Sequence, residues 1–197
     1  MKTQSFYAKR IQPLMFMALV TIACILVTAA LHLSTLERVQ INEQFFLWRS
    51  VLDAAAISHD GQPNSVATLF QDMVETYENQ YVVETEDGTT RYVVERTGPG
   101  LWGPITIMIG FNDDLKTLAG ISIVSQSETP GLGARIEERW FTSQFAGKQG
   151  PFRMVEEGTA DAPEEIDAIT GATITSESVK NIMNRVTAES GNISREQ

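Results

Sequence analysis

The chain has 197 residues, enough for one domain and an appendage. Its charge is uneven: Lys2, Lys9 and Arg10 are the only charged residues before Glu37, so residues 37 to 197 hold 12 basic against 25 acidic residues, net −13. That balance excludes a basic face for phosphate backbones, and nucleic acid is not an expected partner.

Between Ile11 and Leu36 no residue is charged, and residues 14 to 31 are almost wholly apolar. At ~1.5 Å per residue this run can cross a hydrocarbon core of ~30 Å, so residues 11–36 are expected to form a single transmembrane helix among membrane lipid. Pro13 sits in the first turn, where a missing N–H does little harm. The competing reading is a cleaved signal peptide, for which "VTAAL" at 27 to 31 is a weak cleavage site and the uncharged run is long. Cys24 is the only cysteine. It excludes an intramolecular disulfide or a cysteine-ligated iron–sulfur cluster, and mid-span it reads as a small hydrophobe. Because the basic residues precede the span, the positive-inside rule places residues 1–10 in the cytoplasm and the main domain on the extracytoplasmic, periplasmic side of a cytoplasmic membrane.

Helical patterning continues through "LERVQINEQFFLWRSVLDAAA" until Gly61 and Pro63, which makes residues 37–60 a stalk or docking helix. A second helix is expected over 65–77, with Val66, Leu69, Phe70, Met73 and Tyr77 facing a core at spacings of three or four. "QYVVETEDGTTRYVVER" then reads as a hairpin turning at Asp87-Gly88, and "PITIMIGFN" and "TLAGISIVSQ" as two more strands turning at Asn112 to Asp114. Four antiparallel strands in meander order are the simplest arrangement. A helix over 134–147 is expected to bury Ile136, Trp140 and Phe141 and stop at Gly147. "EIDAITGA" reads as a short strand or turn, and a last helix buries Val179, Ile182, Met183 and Val186. The fold class is α+β: an N-terminal transmembrane helix, then an antiparallel-sheet domain with flanking helices over 61–190, and a tail over 191–197.

The chemistry concentrates in "AITGATITSES", residues 168 to 178. Gly171 and Ala172 make a corner entering the last helix. Thr175 or Ser176 is placed to cap it, and Glu177 favours the helix dipole. That accounts for the hydroxyls as a helix cap. The alternative is an anion site, since a helix N-terminus offers free N–H groups and a small corner lets a phosphate approach. Lys180, a turn further in, either adds charge to such a site or is a solvated surface lysine. "SETPGLGARIEE", residues 127 to 138, brings a second tight turn to a second helix start. By itself it is sufficient as a strand-to-helix connector.

Together, "SETPGLGARIE", "FAGK" at 145 to 148 and "DAITGATITSESV" at 167 to 179 resemble the FMN-binding domain shared by the RnfG (RsxG) component of the Rnf electron-transport complex and the NqrC component of the sodium-pumping NADH:quinone reductase. "GPGLWGPI" at 98 to 105 is similar to that domain's glycine-rich strand entry. The resemblance runs from about Gly98 to Val186. It implies that Asp167, Thr170, Gly171 and Ala172 fill a flavinylation motif, that Thr173 carries FMN through a phosphoester, and that a flavin transferase attaches it. Thr175 is then the cap beside the site rather than the attachment point. Glu128, Thr129, Pro130, Gly131, Leu132 and Gly133, with Leu101 and Trp102, are candidates to line the ring. Trp102 is equally read as a stacking platform or a core anchor.

No metal ligand set is expected. His32 lies in the span and His59 in a turn, and no zinc, calcium, Walker or Rossmann spacing is present. Ser127, Glu128 and Asp167 lack a histidine for hydrolase chemistry. The resemblance implies a membrane-anchored flavoprotein subunit that carries electrons, is not catalytic alone, and works with other integral membrane and redox subunits in an ion-translocating complex of the Rnf type. That complex would link reduced ferredoxin and NAD in a bacterial or archaeal cell membrane. The alternatives are an NqrC-like subunit, a non-enzymatic extracytoplasmic binding module holding an unmodified ligand, and a flavin reductase acting alone.

Overall fold

The computed structural model describes residues 11–78, 80–85 and 87–192. The expected cytoplasmic residues 1–10 and tail residues 193–197 lie outside them. The chain divides into two units, residues 1 to 44 and 45 to 197. In the first, α1 (Gln12–Ala54) begins, and its portion Gln12–Leu36, mean hydropathy 2.6, is long and apolar enough to cross a membrane. Thr21, Thr28 and Thr35 return their hydroxyls to the carbonyls of Met17, Cys24 and Leu31 at 2.8, 2.7 and 2.9 Å. A hydroxyl in hydrocarbon must find its partner within the helix, and these do.

In the second unit, five antiparallel strands follow in chain order: β1 (Val74–Thr76), β2 (Tyr81–Glu84), β3 (Thr90–Pro99), β4 (Pro104–Phe111) and β5 (Leu118–Ser125). Both faces are covered. Ile105, Ile107, Ile109 and Phe111 alternate along β4 into one apolar cluster, while Met108 enters another built from the end of α1, from α2 (Pro63–Met73) and from Val83 and Val93. The last turn of α1 lies against the sheet at Gly110, where a Cβ would stand 2.0 Å from the Ala54 carbonyl oxygen. Only a residue without a side chain permits that approach.

Two expected helices are corrected. The one over 65–77 stops at Met73, because Val74 to Thr76 pair with Val83 to Tyr81 as a fifth strand. Tyr77 is left exposed instead of core-facing, its hydroxyl donating to Glu75 at 2.7 Å. Pairing the β2 edge satisfies backbone groups that a longer α2 would leave in competition with it. The helix over 134–147 is broken into a 3₁₀ turn (Gly133–Glu137), α3 (Arg139–Thr142) and a second 3₁₀ turn (Ser143–Phe145), with Glu138 extended at ψ 139°. Ile136 and Phe141 are both fully buried, whereas Trp140 is only half-buried. At 3.6 residues per turn, residues five apart sit about 140° from one another, so a continuous helix cannot bury both.

Next come β6 (Arg153–Val155) and β7 (Glu165–Asp167), a small parallel pair beside the meander. The chain closes with α4 (Thr173–Glu189), which packs Val179, Ile182, Met183 and Val186 into the same cluster as β4. Gly98 lets α4 approach β3, since a Cβ there would meet Ile182 Cγ1 at 2.4 Å.

Candidate functional site

The corner between β7 and α4 is tightly built. Ala168 N–H donates to Val155 O at 2.8 Å, and Ala172 N–H turns back to Ile169 O at 2.9 Å. Gly171 sits at φ 79°, a conformation that β-carbons disfavour, and a Cβ there would also lie 3.2 Å from Leu132 Cδ2. Ser176 clasps the corner from inside the helix. Its fully buried hydroxyl accepts from Ile169 N–H at 3.0 Å and donates to Ala172 O at 3.1 Å.

The expected cap is therefore corrected. Neither Thr175 nor Ser176 caps α4; the N-cap position is Ala172, which has no side-chain acceptor. The first backbone bond back into the corner comes from Ser176 N–H to Ala172 O, 3.0 Å. The N–H groups of Thr173, Ile174 and Thr175 accordingly have no partner among the described residues, and they lie at the positive end of a 17-residue helix. Thr173 is exposed there, its hydroxyl unengaged by any described residue.

Glu128 joins this helix start to two loops. It is 5% exposed, and its Oε1 accepts from Leu101 N–H at 2.8 Å and Trp102 N–H at 3.1 Å. Its Oε2 accepts from the hydroxyl of Thr175, itself 1% exposed, at 2.7 Å. Two glycines leave room for it: a Cβ at Gly100 would stand 2.4 Å from Oε1, and one at Gly133 would stand 2.8 Å from the Glu128 Cβ. Three segments far apart in sequence, 98 to 104, 127 to 133 and the start of α4, therefore converge on one carboxylate.

On the solvent side those segments carry four exposed apolar side chains: Leu101 at 48%, Trp102 at 69%, Leu132 at 45% and Ile174 at 60%. Trp102 is thus no core anchor. The Pro130-Gly131 turn, with Gly131 at φ 75°, is held by Thr129 O, which accepts from Leu132 and Ala134 N–H at 3.1 Å each. Such a surface can hold an anion at the free helix N–H groups with an apolar body lying beside it.

Two of the predicted residues are engaged by other groups of the chain. Asp167 accepts from Thr159 and Ala160 N–H at 2.9 and 2.8 Å, latching the β6–β7 crossover. Lys180 forms an ion pair with Glu177 on its own helix, and among the described residues no polar contact ties it to the Thr173 corner. Thr170 is exposed, its N–H donating to Glu157 Oε2 at 2.8 Å. That bond, the Thr170 hydroxyl and the neighbouring Arg135 guanidinium, 3.7 Å away, hold the Glu157 carboxyl below its usual range. Ser176, expected as a cap, clasps the corner instead, and Glu157 carries no mark in the sequence, because an acid in a polar loop has no distinguishing local pattern.

Residues 100–188 match the model of the FMN-binding domain family. The matched segment is similar to an FMN-binding domain. It includes the Leu101-Trp102 loop, Glu128 and the start of α4. The chain is 34% identical over 108 residues to NqrC, the C component of the Na(+)-translocating NADH-quinone reductase, of Vibrio anguillarum, spanning 51% of this chain and 42% of that protein. It is 35% identical over 97 residues to the G component of the ion-translocating oxidoreductase complex of Methanosarcina acetivorans, spanning 49% and 50%. The chain thus spans about half the length of the curated relatives it matches. Its fold is similar to that of the corresponding NqrC from Parabacteroides distasonis, with TM-score 0.68 and 22% identity over 80% of this chain and 96% of that one. NqrC of Shewanella oneidensis is similar too, with TM-score 0.63 and 21% identity over 74% and 96%. The matched segment therefore lies in an NqrC-like α+β fold.

Proposed function

We propose that this chain is a membrane-anchored electron-carrying subunit of an ion-translocating oxidoreductase complex of the Rnf type, with FMN joined to Thr173 by a phosphoester. The observation that carries the reading is the exposed Thr173 hydroxyl at the uncapped start of α4, beside three N–H groups with no partner among the described residues and the apolar side chains around Glu128. Those N–H groups would stabilise the phosphate charge, and Thr173 Oγ would carry the bond to phosphorus. Leu101, Trp102, Leu132 and Ile174 would shield one side of the ring from water, with Glu128 positioning their loops. When bound, FMN supplies the redox chemistry, and the protein supplies orientation and environment.

Residues 11–36 serve as the membrane span in this reading, 37–60 as a stalk and 61–190 as the flavin domain. Lys2, Lys9 and Arg10 keep the N-terminus cytoplasmic, so the flavin lies on the extracytoplasmic side and reaches it through a flavin transferase. The subunit passes electrons between redox partners and is not catalytic alone. Similarity to the G component of the Methanosarcina acetivorans complex supports the Rnf type. A second reading, an NqrC-like subunit of a sodium-translocating NADH:quinone reductase, is favoured by the likeness of the fold to two NqrC structures.

Peptide mass spectrometry on protein from its own membrane tests the attachment. The tryptic peptide 154–180 should carry an FMN-sized addition that Thr173→Ala removes and Thr175→Ala retains. Loss in Thr175→Ala alone would move the bond to that threonine. An unmodified peptide from a host that flavinylates other proteins would sink the mechanism.

A further inference from the structure

Glu128 is a buried carboxylate with no cationic partner among the described residues. The three groups that reach its oxygens are neutral donors: Leu101 N–H, Trp102 N–H and the Thr175 hydroxyl. The cations on neighbouring elements are engaged with other acids, Arg135 with Glu138 at 3.3 Å and Glu157 at 3.7 Å, and Lys180 with Glu177. The backbone is fixed as well, since Glu128 N–H donates to the Gln126 side chain, whose amide donates to Glu137 at 2.9 Å.

Bracing two loops does not require a charge. A glutamine of the same shape accepts from the Leu101 and Trp102 amides and donates to the Thr175 hydroxyl, and a neutral side chain costs less to bury than an ion without a counterion. The hydrogen bonds account for where Glu128 sits, and its charge has no part in them that an amide could not largely take.

That charge lies directly behind the exposed apolar surface. The two amides that donate to Oε1, at 2.8 and 3.1 Å, belong to Leu101 and Trp102, and the helix that supplies Thr175 also carries Thr173 and Ile174. A flat ring lying on those side chains would stand within roughly one Debye length, about 8–10 Å at physiological salt, of a charge that burial keeps from solvent ions. A phosphate on Thr173 would engage the free N–H groups at the start of α4, so the positive helix end would not remain to offset Glu128.

We propose that the Glu128 carboxylate lowers the reduction potential of the flavin carried at Thr173. Two-electron reduction of the ring with uptake of one proton adds one negative charge to it, the electrons coming from a redox partner, and a fixed negative charge nearby opposes that gain. The flavin is thereby a stronger reductant than it would be over a neutral side chain. This rests on the reading that FMN is carried at Thr173; the burial and isolation of the carboxylate do not.

The test is a dithionite titration, against a redox dye, of the full flavinylated chain purified in detergent from its own membrane. Glu128→Gln should raise the reduced-to-oxidised ratio at a fixed potential about tenfold, which is about 30 mV for a two-electron couple. Thr175→Val removes one bond of the brace and keeps the charge, so its ratio should not rise. Where Glu128→Gln fails to carry flavin, Ser127→Lys, at the exposed neighbouring position, sets a cation beside the carboxylate and should shift the ratio in the same direction. An unchanged ratio in Glu128→Gln with peptide 154–180 still flavinylated, or in Ser127→Lys where that variant decides, would overturn the proposal. Equal rises in Glu128→Gln and Thr175→Val would assign the effect to the brace and overturn it too. A parent chain whose peptide 154–180 carries no flavin removes the FMN reading itself, and mass spectrometry reports that before any titration.

Discussion

Replacing Glu128 probes how the site is held together. Glu128→Gln keeps an oxygen for the Leu101 and Trp102 amides but puts an NH₂ where Oε2 accepts from Thr175. Thr175 is 1% exposed, so its hydroxyl keeps only the weaker bond in which it accepts from that neutral NH₂, and no water takes its proton. A hydrogen bond to a charged group contributes about 1.5–3 kcal/mol, and relief from burying a carboxylate offsets part of it, which leaves an expected loss of about 1–2 kcal/mol. Thr175→Val removes the donor at nearly constant shape. The two changes should be coupled by about 1.5 kcal/mol in a double-mutant cycle, read by urea denaturation of the full chain in detergent through tryptophan fluorescence. Glu128→Ala should cost more, about 3–4 kcal/mol, since all three bonds go and a void opens beside Gly100 and Gly133. If the Glu128→Gln and Thr175→Val effects add to within about 0.5 kcal/mol, the carboxylate does not bridge the segments and the reasoning fails.

Gly110→Ala sets a Cβ 2.0 Å from the Ala54 carbonyl oxygen, and neither backbone can yield cheaply. It should cost about 3 kcal/mol, and a melting temperature within a degree of the parent would mean that α1 does not close on the sheet there. Trp102→Ala, at a side chain 69% exposed, should change stability by no more than about 0.5 kcal/mol while shifting the emission of the bound flavin. An unchanged emission spectrum would remove Trp102 from the ring's surroundings. Glu157 titrates below the usual 4.5, so the stability its bond to Thr170 confers is fully present above pH 4.5 and is lost as pH falls through the lower folded value. Glu157→Gln should flatten the acid limb of the melting-temperature profile, and identical limbs would show the bond to be inert.

Much of this protein is written locally. The uncharged run of residues 11 to 36, the strand alternation of "PITIMIGF", the Asp87-Gly88 turn and the apolar stripe of α4 each express a preference that a short segment satisfies by itself. Motif order did the same for the candidate site, because a glycine corner and a threonine after it are consecutive residues. What eluded local reading depended on partners outside the segment itself. Val74 to Thr76 belong to a strand only because β2 stands beside them, and Glu138 breaks a helix only because Ile136 and Phe141 must reach one core.

The cap shows the same division most sharply. By pattern alone Thr175 is a good N-cap, and only folding, which brings it to Glu128 across 47 residues, removes it from that role. The sequence by itself determined the long apolar helix, the meander's turns and the hydroxyl that stands at the last helix. The tertiary structure decided which hydroxyls are consumed in holding the corner and which one is left facing water. Local preference depends on neighbours within a turn, whereas the engagement of a side chain depends on whatever folding places within about three ångströms of it.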